Sequence, residues 1–244
     1  MKLIPVDSLP FKKPEGFGPL PTWSFSALKV FEECAFRAFL SRVQKIPEPT
    51  NPAAARGSAI HEEAEAYVKG ELGEMPDTLK KFEDDFEQLR TLYTEAKVEL
   101  EGEWGFTLDW EPTGWVDKDT WARVKLDAIV FEDDNSVRVI DYKTGKKWGN
   151  EITHGQQCLL YAIAACYRYP NIEAIQTELW YLDKGQTTKK FYTRNEAMHF
   201  TAGWHNRAVV MTTQETFEPT PSPQACRWCS YKDGDNPSCQ WGVK

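Results

Sequence analysis

Two apolar segments joined by a polar pentapeptide decide the fold of this chain: WARVKLDAIVF at 121–131, EDDNS at 132–136 and VRVIDYK at 137–143. The apolar segments are rich in β-branched and aromatic residues, which favour strands, and the pentapeptide is typical of a turn. We therefore predict a β-hairpin in which Asp127 lies inside the first strand and Asp141 lies at the end of the second.

Apolar periodicity predicts helices around this hairpin. Between 79 and 100 the apolar residues recur three and four positions apart, which is the stripe of an amphipathic helix. The predicted helices are 26–43, 53–69, 79–100, 154–169 and 195–210, and the further strands are 175–182 and 189–193. This mixture predicts an α/β fold with a central mixed β-sheet flanked by helices.

Composition divides the chain into three parts. Residues 1–22 hold five of the 15 prolines and read as an extended arm. Residues 23–215 are predicted to form the main domain, with a helical part at 23–101 and an α/β core at 102–215. Residues 216–244 have little periodicity but contain three cysteines, which predicts a metal-binding tail.

The acidic charge of the chain is local. The 244 residues carry a formal net charge of −8, and residues 62–103 hold 14 acidic and five basic side chains, a net of −9. The rest of the chain therefore sums to +1, so a polyanionic partner is not excluded. No apolar run approaches the length of a membrane span, and the N-terminus lacks the apolar stretch of a signal peptide. We expect a cytoplasmic protein with no membrane partner.

Four of the six cysteines are candidate metal ligands. Cys226 and Cys229 form a CxxC pair that lets two thiolates reach one metal from a tight turn, and Cys239 follows in the same tail. Cys34, in the first predicted helix, would be the fourth ligand. Four thiolates can hold either zinc or an iron–sulphur cluster, and the spacing does not separate the two. The other two cysteines lie on an apolar predicted helix and are expected to be buried.

A group of acidic and basic side chains is predicted at the hairpin. Asp141 and Lys143 are two residues apart on one strand, hence on one side of it, and Asp127 on the paired strand can face the same point. Two adjacent carboxylates repel each other unless a cation lies between them, and oxygen ligands suit Mg²⁺ or Mn²⁺. With a lysine beside them, they form the set that phosphodiester hydrolysis needs. The alternative is that Asp141 only ends a strand and pairs with Lys143.

Two predicted helices add polar residues to this group. Gly57 lies one turn before His61, and a glycine inside a helix is explained by a close approach at that face. His61 is a candidate metal ligand, although a partly buried histidine without a role is the alternative. Gln157 and Tyr161 are four apart and so share one helix face.

Basic side chains in two later stretches are candidate phosphate contacts. Solvated loops are the alternative explanation for such charge. These candidates are Lys146, Lys147, Lys189, Lys190 and Arg194.

Taken in order, these motifs resemble the RecB-like branch of the PD-(D/E)XK nuclease superfamily. The resemblance is nearest to its iron–sulphur members, the CRISPR-associated adaptation exonucleases and the nuclease domains of bacterial helicase–nucleases. It is carried by a serine-led helix with Cys34, GxxxH at 57–61, Asp127, DYK at 141–143, QxxxY at 157–161 and the terminal cysteine triplet.

The resemblance implies a role for each residue. The divalent metal would be held by His61, Asp127, Asp141 and the backbone carbonyl of Tyr142. Lys143 would assist the nucleophilic water, while Gln157 and Tyr161 would complete the site and contact DNA. A [4Fe–4S] cluster that joins the first helix to the tail would be held by Cys34, Cys226, Cys229 and Cys239. The gap between the last two cysteines is longer than in the family, which keeps zinc as the alternative.

The activity implied is Mg²⁺- or Mn²⁺-dependent hydrolysis of DNA, by an exonuclease rather than an endonuclease, in a bacterial or phage-infected cytoplasm. DNA that is single-stranded or has free ends would be the substrate, and recombination or replication proteins would be further partners. Three alternatives stay open: a DNA-binding accessory protein with a silent site, a structure-specific endonuclease, and a metal-bound redox protein.

Overall fold

The computed structural model describes residues 11–49, 51–145, 147, 149–232 and 238–243. The strands are β1 Trp23–Ser24, β2 Val98–Phe106, β3 Pro112–Thr113, β4 Ala122–Phe131, β5 Ser136–Lys143, β6 Ala174–Tyr181 and β7 Gln186–Thr193. The α-helices are α1 Phe25–Glu33, α2 Ala35–Ala38, α3 Pro52–Val68, α4 Glu83–Thr94, α5 Glu151–Arg168, α6 Arg194–His199, α7 Thr201–Thr213 and α8 Pro223–Cys226.

The strands form one mixed sheet in the order β3-β2-β4-β5-β6-β7, with β1 paired to β4. The predicted hairpin is confirmed, because β4 and β5 pair antiparallel with Ala128 opposite Ile140. Helix α5 then carries the chain to β6, which runs parallel to β5. The predicted α/β fold, with a central mixed sheet flanked by helices, is therefore confirmed.

Two apolar clusters cover the sheet. One contains residues of α1, α5 and α7, and the other contains residues of α3 and α4. Apolar residues of β4 change cluster at Asp127: Val124 and Leu126 belong to the first, Ala128 and Val130 to the second. Alternate residues of an undistorted strand stay on one face, so the sheet is distorted at this point. None of the described helices combines the length and apolar character needed to cross a membrane.

The predicted helix 26–43 is wrong as a single element. Helix α1 ends at Glu33, and Cys34 adopts an extended backbone, with φ −163° and ψ 109°, before α2 begins. A π-helix at Phe39–Val43 completes the segment. Apolar residues keep their helical spacing across Cys34 because α1 and α2 pack on the same core. Periodicity alone therefore cannot detect the break.

The predicted helix 79–100 is wrong at its C-terminal end. A short 3₁₀ turn leads into α4, which ends at Thr94, and Ala96 has φ 58°. Strand β2 begins at Val98 and pairs with β4 along most of its length. Pairing with a buried neighbour outweighs helical periodicity here, since Val98 and Leu100 fit a period of two as well.

Smaller boundary differences affect the later elements. The predicted helix 195–210 is two helices that divide at Phe200, and the strand predicted at 189–193 begins earlier, at Gln186. Of the predicted arm 1–22, the first ten residues lie outside the described part. The remainder includes Phe11, which stacks on His205 of α7 with ring centroids 4.6 Å apart.

Phe86 of α4 anchors the helical layer behind β5. Its ring is fully buried, 5.3 Å from the ring of Tyr142 and 5.4 Å from that of Trp180. We expect Phe86→Ala to lower the free energy of unfolding by about 3–5 kcal/mol, because the cavity cannot close around neighbouring aromatic rings. Urea denaturation measures the loss. Phe191→Ala, at a site 71% exposed, should change it by less than about 0.5 kcal/mol. Equal losses would contradict the packing argument.

Candidate metal centre and catalytic cleft

His61 and Asp127 meet where α3 crosses the sheet. The His61 Nδ1 atom lies 2.9 Å from Asp127 Oδ1, and the backbone N–H of Tyr142 donates to Asp127 Oδ2 at 2.5 Å. Burial raises the pKa of the Asp127 carboxyl, and nearby Asp141 raises it further, against the lowering effect of His61. These contacts bring two of the predicted ligand side chains, together with the backbone of Tyr142, to one place, and Asp141 lines the same cleft.

Gly57 allows this approach. A Cβ atom added there would lie 3.1 Å from Thr144 Oγ1, just beyond the end of β5. The prediction that this glycine marks a close approach is confirmed. Helix α3 can thereby bring His61, one turn later, against the sheet.

Asp141, Lys143, Gln157 and Tyr161 form a closed ring of polar contacts. The Tyr161 hydroxyl donates to Asp141 Oδ1 at 2.7 Å, and Lys143 Nζ lies 2.5 Å from Asp141 Oδ2. Lys143 Nζ also donates to Gln157 Oε1 at 2.8 Å, and Gln157 Nε2 donates to the Tyr161 oxygen at 2.7 Å. Asp141 therefore does pair with Lys143, as the alternative explanation expected. The pair, however, is part of a larger ring of contacts that includes Gln157 and Tyr161 of α5.

Glu101 was missed by sequence reasoning. Within the described residues, one group of three potential ligand side chains has all its ligand atoms within 4.8 Å: His61, Glu101 and Asp127. Glu101 has φ 48°, and it lies across from Asp127 at the distortion of the sheet. The predicted helix covers 79–100 and ends just before Glu101. Gly102 is a usable signal, since glycine inside a strand often marks a distortion.

The metal centre lies in a cleft of about 770 Å³. Its acidic end combines the metal-centre carboxylates with two glutamates of α3. Its basic side chains come from strands β4 and β5 and from the π-helix. The charged lining residues are Glu62, Glu65, Glu101, Asp127, Asp141, Arg42, Arg123, Lys125 and Lys143. A cleft with carboxylates at one point and cations around them can accommodate a metal together with a phosphate.

The predicted phosphate contacts that the structure describes have different surroundings. Lys146 lies outside the described residues. Lys147 Nζ lies 5.5 Å from the centroid of the Tyr181 ring, and Lys190 reaches the start of α5. Lys189 Nζ instead pairs at 2.8 Å with a buried glutamate of β6, and Arg194 donates to a backbone carbonyl at 3.0 Å.

The four predicted cluster cysteines line a second, smaller pocket. Cys226 is buried, while Cys34, Cys229 and Cys239 are partly exposed. Burial acts to raise the pKa of the Cys34 thiol, but hydrogen bonds involving Thr220 and the backbone of α2 outweigh it, so this pKa is lowered. The extended backbone at Cys34 therefore places it beside the tail. The remaining two cysteines are buried on α5, as predicted.

Three solved structures are similar to this one. SSO0001 has 15% sequence identity and a TM-score of 0.50 over 96% of this chain and 90% of its own. A candidate exonuclease from Eubacterium rectale has 14% identity and a TM-score of 0.43, with 82% and 84% covered. An alkaline exonuclease from Laribacter hongkongensis has 12% identity and a TM-score of 0.38, with 79% and 87% covered. At these identities the likeness to SSO0001 supports the fold alone.

Sequence comparison identifies the family. No curated protein gives a significant match to the chain. The sequence model of the PD-(D/E)XK nuclease superfamily, however, matches residues 22–234. That span contains the whole metal centre, the polar ring and the CxxC pair. The chain belongs to the PD-(D/E)XK nuclease superfamily.

Proposed function

We propose that the protein is a divalent-metal-dependent deoxyribonuclease that degrades DNA from its ends. The observation that carries the proposal is the convergence of Asp127, Asp141 and Lys143 in one cleft. Two carboxylates from adjacent strands and a lysine are the groups that phosphodiester hydrolysis requires. DNA that is single-stranded or has free ends is the proposed substrate, in a bacterial or phage-infected cytoplasm, with recombination or replication proteins as further partners.

The donor set fits a hard divalent cation. His61, Asp127, Asp141 and the carbonyl of Tyr142 would hold Mg²⁺ or Mn²⁺, which prefer oxygen ligands. Asp141 Oδ2 is buried and, among the described residues, accepts no well-aligned hydrogen bond despite its contact with Lys143. That oxygen therefore has a lone pair for a cation. A bound metal would lower the pKa of an attacking water and offset the charge that develops on the phosphate.

The chain's own residues would orient the reactants. Lys143 would hold the attacking water and donate to the phosphate, since its ammonium has three N–H donors. Gln157 would fix the position of that ammonium, and Tyr161 would fix the Asp141 carboxylate. These two residues act through their neighbours and are positioning residues in this proposal.

Closed circular DNA tests the proposed end dependence. Wild-type protein with Mn²⁺ should degrade end-labelled linear DNA and leave a closed circle intact, and EDTA should stop the reaction. Cleavage of the circle would favour the endonuclease alternative. If protein prepared without air cut neither substrate, the DNA-binding accessory alternative would replace the nuclease proposal.

Glu101 provides a test of the metal centre. We expect Glu101→Gln to weaken Mn²⁺ binding by about 10- to 100-fold, the usual effect of removing a group close to a bound metal. Electron paramagnetic resonance of free Mn²⁺ measures the affinity. Glu103→Gln is the matched control, because both glutamates face Lys125, with oxygens 2.6 Å and 3.7 Å from Lys125 Nζ. An equal loss in both variants would point to general electrostatics instead.

We also propose that Cys34, Cys226, Cys229 and Cys239 hold a [4Fe–4S] cluster, with zinc as the alternative. All four line one pocket, so the fold brings the end of the first helix and the tail to a common place. Four thiolates can hold either group, and the resemblance to iron–sulphur nucleases favours the cluster. Its structural role would be to join the first helix to the tail.

Metal analysis of protein purified without air tests the cluster. We expect about four iron atoms and four sulphides per chain, the composition of the cluster. Cys226→Ser should lose the iron and lower the melting temperature, because the tail would have little else to order it. Cys166→Ala, at a buried cysteine of α5, should keep the iron. Stoichiometric zinc without sulphide would establish the alternative.

A further inference from the structure

Trp115 and Arg123 form an aromatic–cation pair in the wall of the cleft. The Arg123 guanidinium carbon lies 5.5 Å from the centroid of the Trp115 ring, and Arg123 Nε donates to the Trp115 carbonyl at 2.9 Å. Both residues line the cleft and both are partly exposed. Trp115 belongs to neither apolar cluster of the described residues.

The loop that carries Trp115 is held in place by its own polar contacts. Asp117 Oδ2 accepts hydrogen bonds at 2.8 Å from both the Thr113 hydroxyl and the Gly114 N–H. The Thr120 hydroxyl closes the loop onto the Gly114 carbonyl at 2.7 Å. The loop that holds Trp115 is therefore already ordered. Less conformational entropy is lost when a ligand contacts the ring.

Strand β4 sets the distance from this pair to the metal centre. Arg123, Lys125 and Asp127 are alternate residues of β4, and all three line the cleft. A strand advances about 3.3 Å per residue, so Lys125 lies about 7 Å and Arg123 about 13 Å along the strand from Asp127. In an extended nucleic-acid strand, the distance between successive phosphates is comparable to the advance over two residues of β4.

Charge along the cleft agrees with this path. The acidic side chains of the cleft gather around Asp127. Arg123 instead lies opposite Ser24, its partner residue on the paired strand β1. Lys125 is partly neutralised by Glu101, at 2.6 Å. Arg123 has no carboxylate partner among the described residues, so its charge is available to a phosphate.

We propose that Trp115 and Arg123 form a base-stacking subsite for a single strand, about two nucleotides from the scissile phosphate. This inference rests on the proposed nuclease function. Arg123 contacts the backbone phosphate while the exposed part of the indole stacks on the attached base. Stacking on an aromatic ring needs an unpaired base with a free face, which selects single-stranded DNA over duplex.

Binding without cleavage tests the subsite. We expect Trp115→Ala to weaken binding of a fluorescein-labelled oligothymidylate, measured by anisotropy in EDTA, by about 5- to 150-fold. Trp115→Phe should recover most of the affinity, because it keeps a ring. Val116→Ala is the matched control in the same loop, at a residue 79% exposed, and should bind like wild type.

Moving one abasic nucleotide along the oligonucleotide locates the contact. In wild type one position near the bound end should weaken binding, and in Trp115→Ala that position should have no effect. If wild type cuts and binds single strands but Trp115→Ala binds equally well, the subsite is wrong and the nuclease proposal stands. If wild type cuts linear duplex DNA but does not bind a single strand, the subsite is wrong and the nuclease proposal stands. If wild type cuts no DNA and binds no single strand, both fall.

Discussion

Asp141→Asn should reduce the rate of DNA cleavage by about a thousandfold or more, the largest effect expected for any single substitution. Asp141 contributes one of two carboxylates at the proposed metal centre, and the amide cannot supply the lost negative charge. Metal stabilisation of the transition state is worth several kcal/mol, and about 4 kcal/mol corresponds to a factor of a thousand. The side chains have the same shape, so the contact with the Tyr161 hydroxyl can persist.

The measurement is single-turnover cleavage of end-labelled DNA with saturating Mn²⁺, alongside binding of the same DNA in EDTA. Binding should stay within a few fold of wild type. Glu178→Gln is a matched control, because Glu178 is also a buried carboxylate paired with a lysine, but it lies outside the cleft. Cleavage by Asp141→Asn at the wild-type rate would exclude Asp141 from the metal centre.

Lys143→Met should lower the turnover rate by about 10²- to 10⁴-fold, the usual contribution of a positioned proton-transfer group. Methionine keeps most of the length of the side chain but removes the ammonium that contacts Asp141 and Gln157. The Mn²⁺ affinity should hold or rise, since a neighbouring positive charge is removed. A variant of a metal ligand would instead lose Mn²⁺ affinity, so the affinity distinguishes Lys143 from a ligand.

The same cleavage assay over a range of Mn²⁺ concentrations measures both quantities. Lys143→Arg should not restore the rate, because a planar guanidinium cannot occupy the position of a compact ammonium. Lys97→Met serves as control, because Lys97 also pairs with a carboxylate, at 2.7 Å, but on the surface outside the cleft. Loss of activity that excess Mn²⁺ restores would show that Lys143 acts only on metal binding.

Helix α1 links the two proposed metal sites. Phe25 and Ser26, at its start, line the catalytic cleft, and Cys34 follows its last residue in the cysteine pocket. Loss of order at Cys34 would therefore reach the cleft wall through nine helical residues. This arrangement gives a physical reason for the proposed structural cluster in a nuclease.

Local pattern predicted the parts of the site that short-range geometry determines. The hairpin places Asp127 and Asp141 on neighbouring strands, and helical spacing puts Gln157 and Tyr161 on one face. Both features follow from the residue period of one helix or strand and from the element next to it in the sequence. Gly57, one turn before His61, also indicated the approach of α3, because a glycine inside a helix is a local signal of a close contact.

Long-range packing determined what the sequence pattern did not predict. Glu101 joins the metal centre because β2 pairs with β4 and distorts beside Asp127, and that pairing overrides a helical stripe. Cys34 leaves the helix because its neighbours pack against a tail almost 200 residues later. Neither fact can be read from a window of ten or fifteen residues, because the decisive partner lies far away in sequence.

The most direct test of the central claim is the anomalous diffraction of crystals soaked in Mn²⁺. In the cleft one strong peak should lie within bonding distance of Asp127 and Asp141, with His61 beside it, and it should be absent from Asp141→Asn crystals. The irons of the proposed cluster would give a separate peak in the cysteine pocket. A peak elsewhere in the cleft, or no peak in a protein that still cuts DNA, would contradict a metal-dependent site built on these two carboxylates.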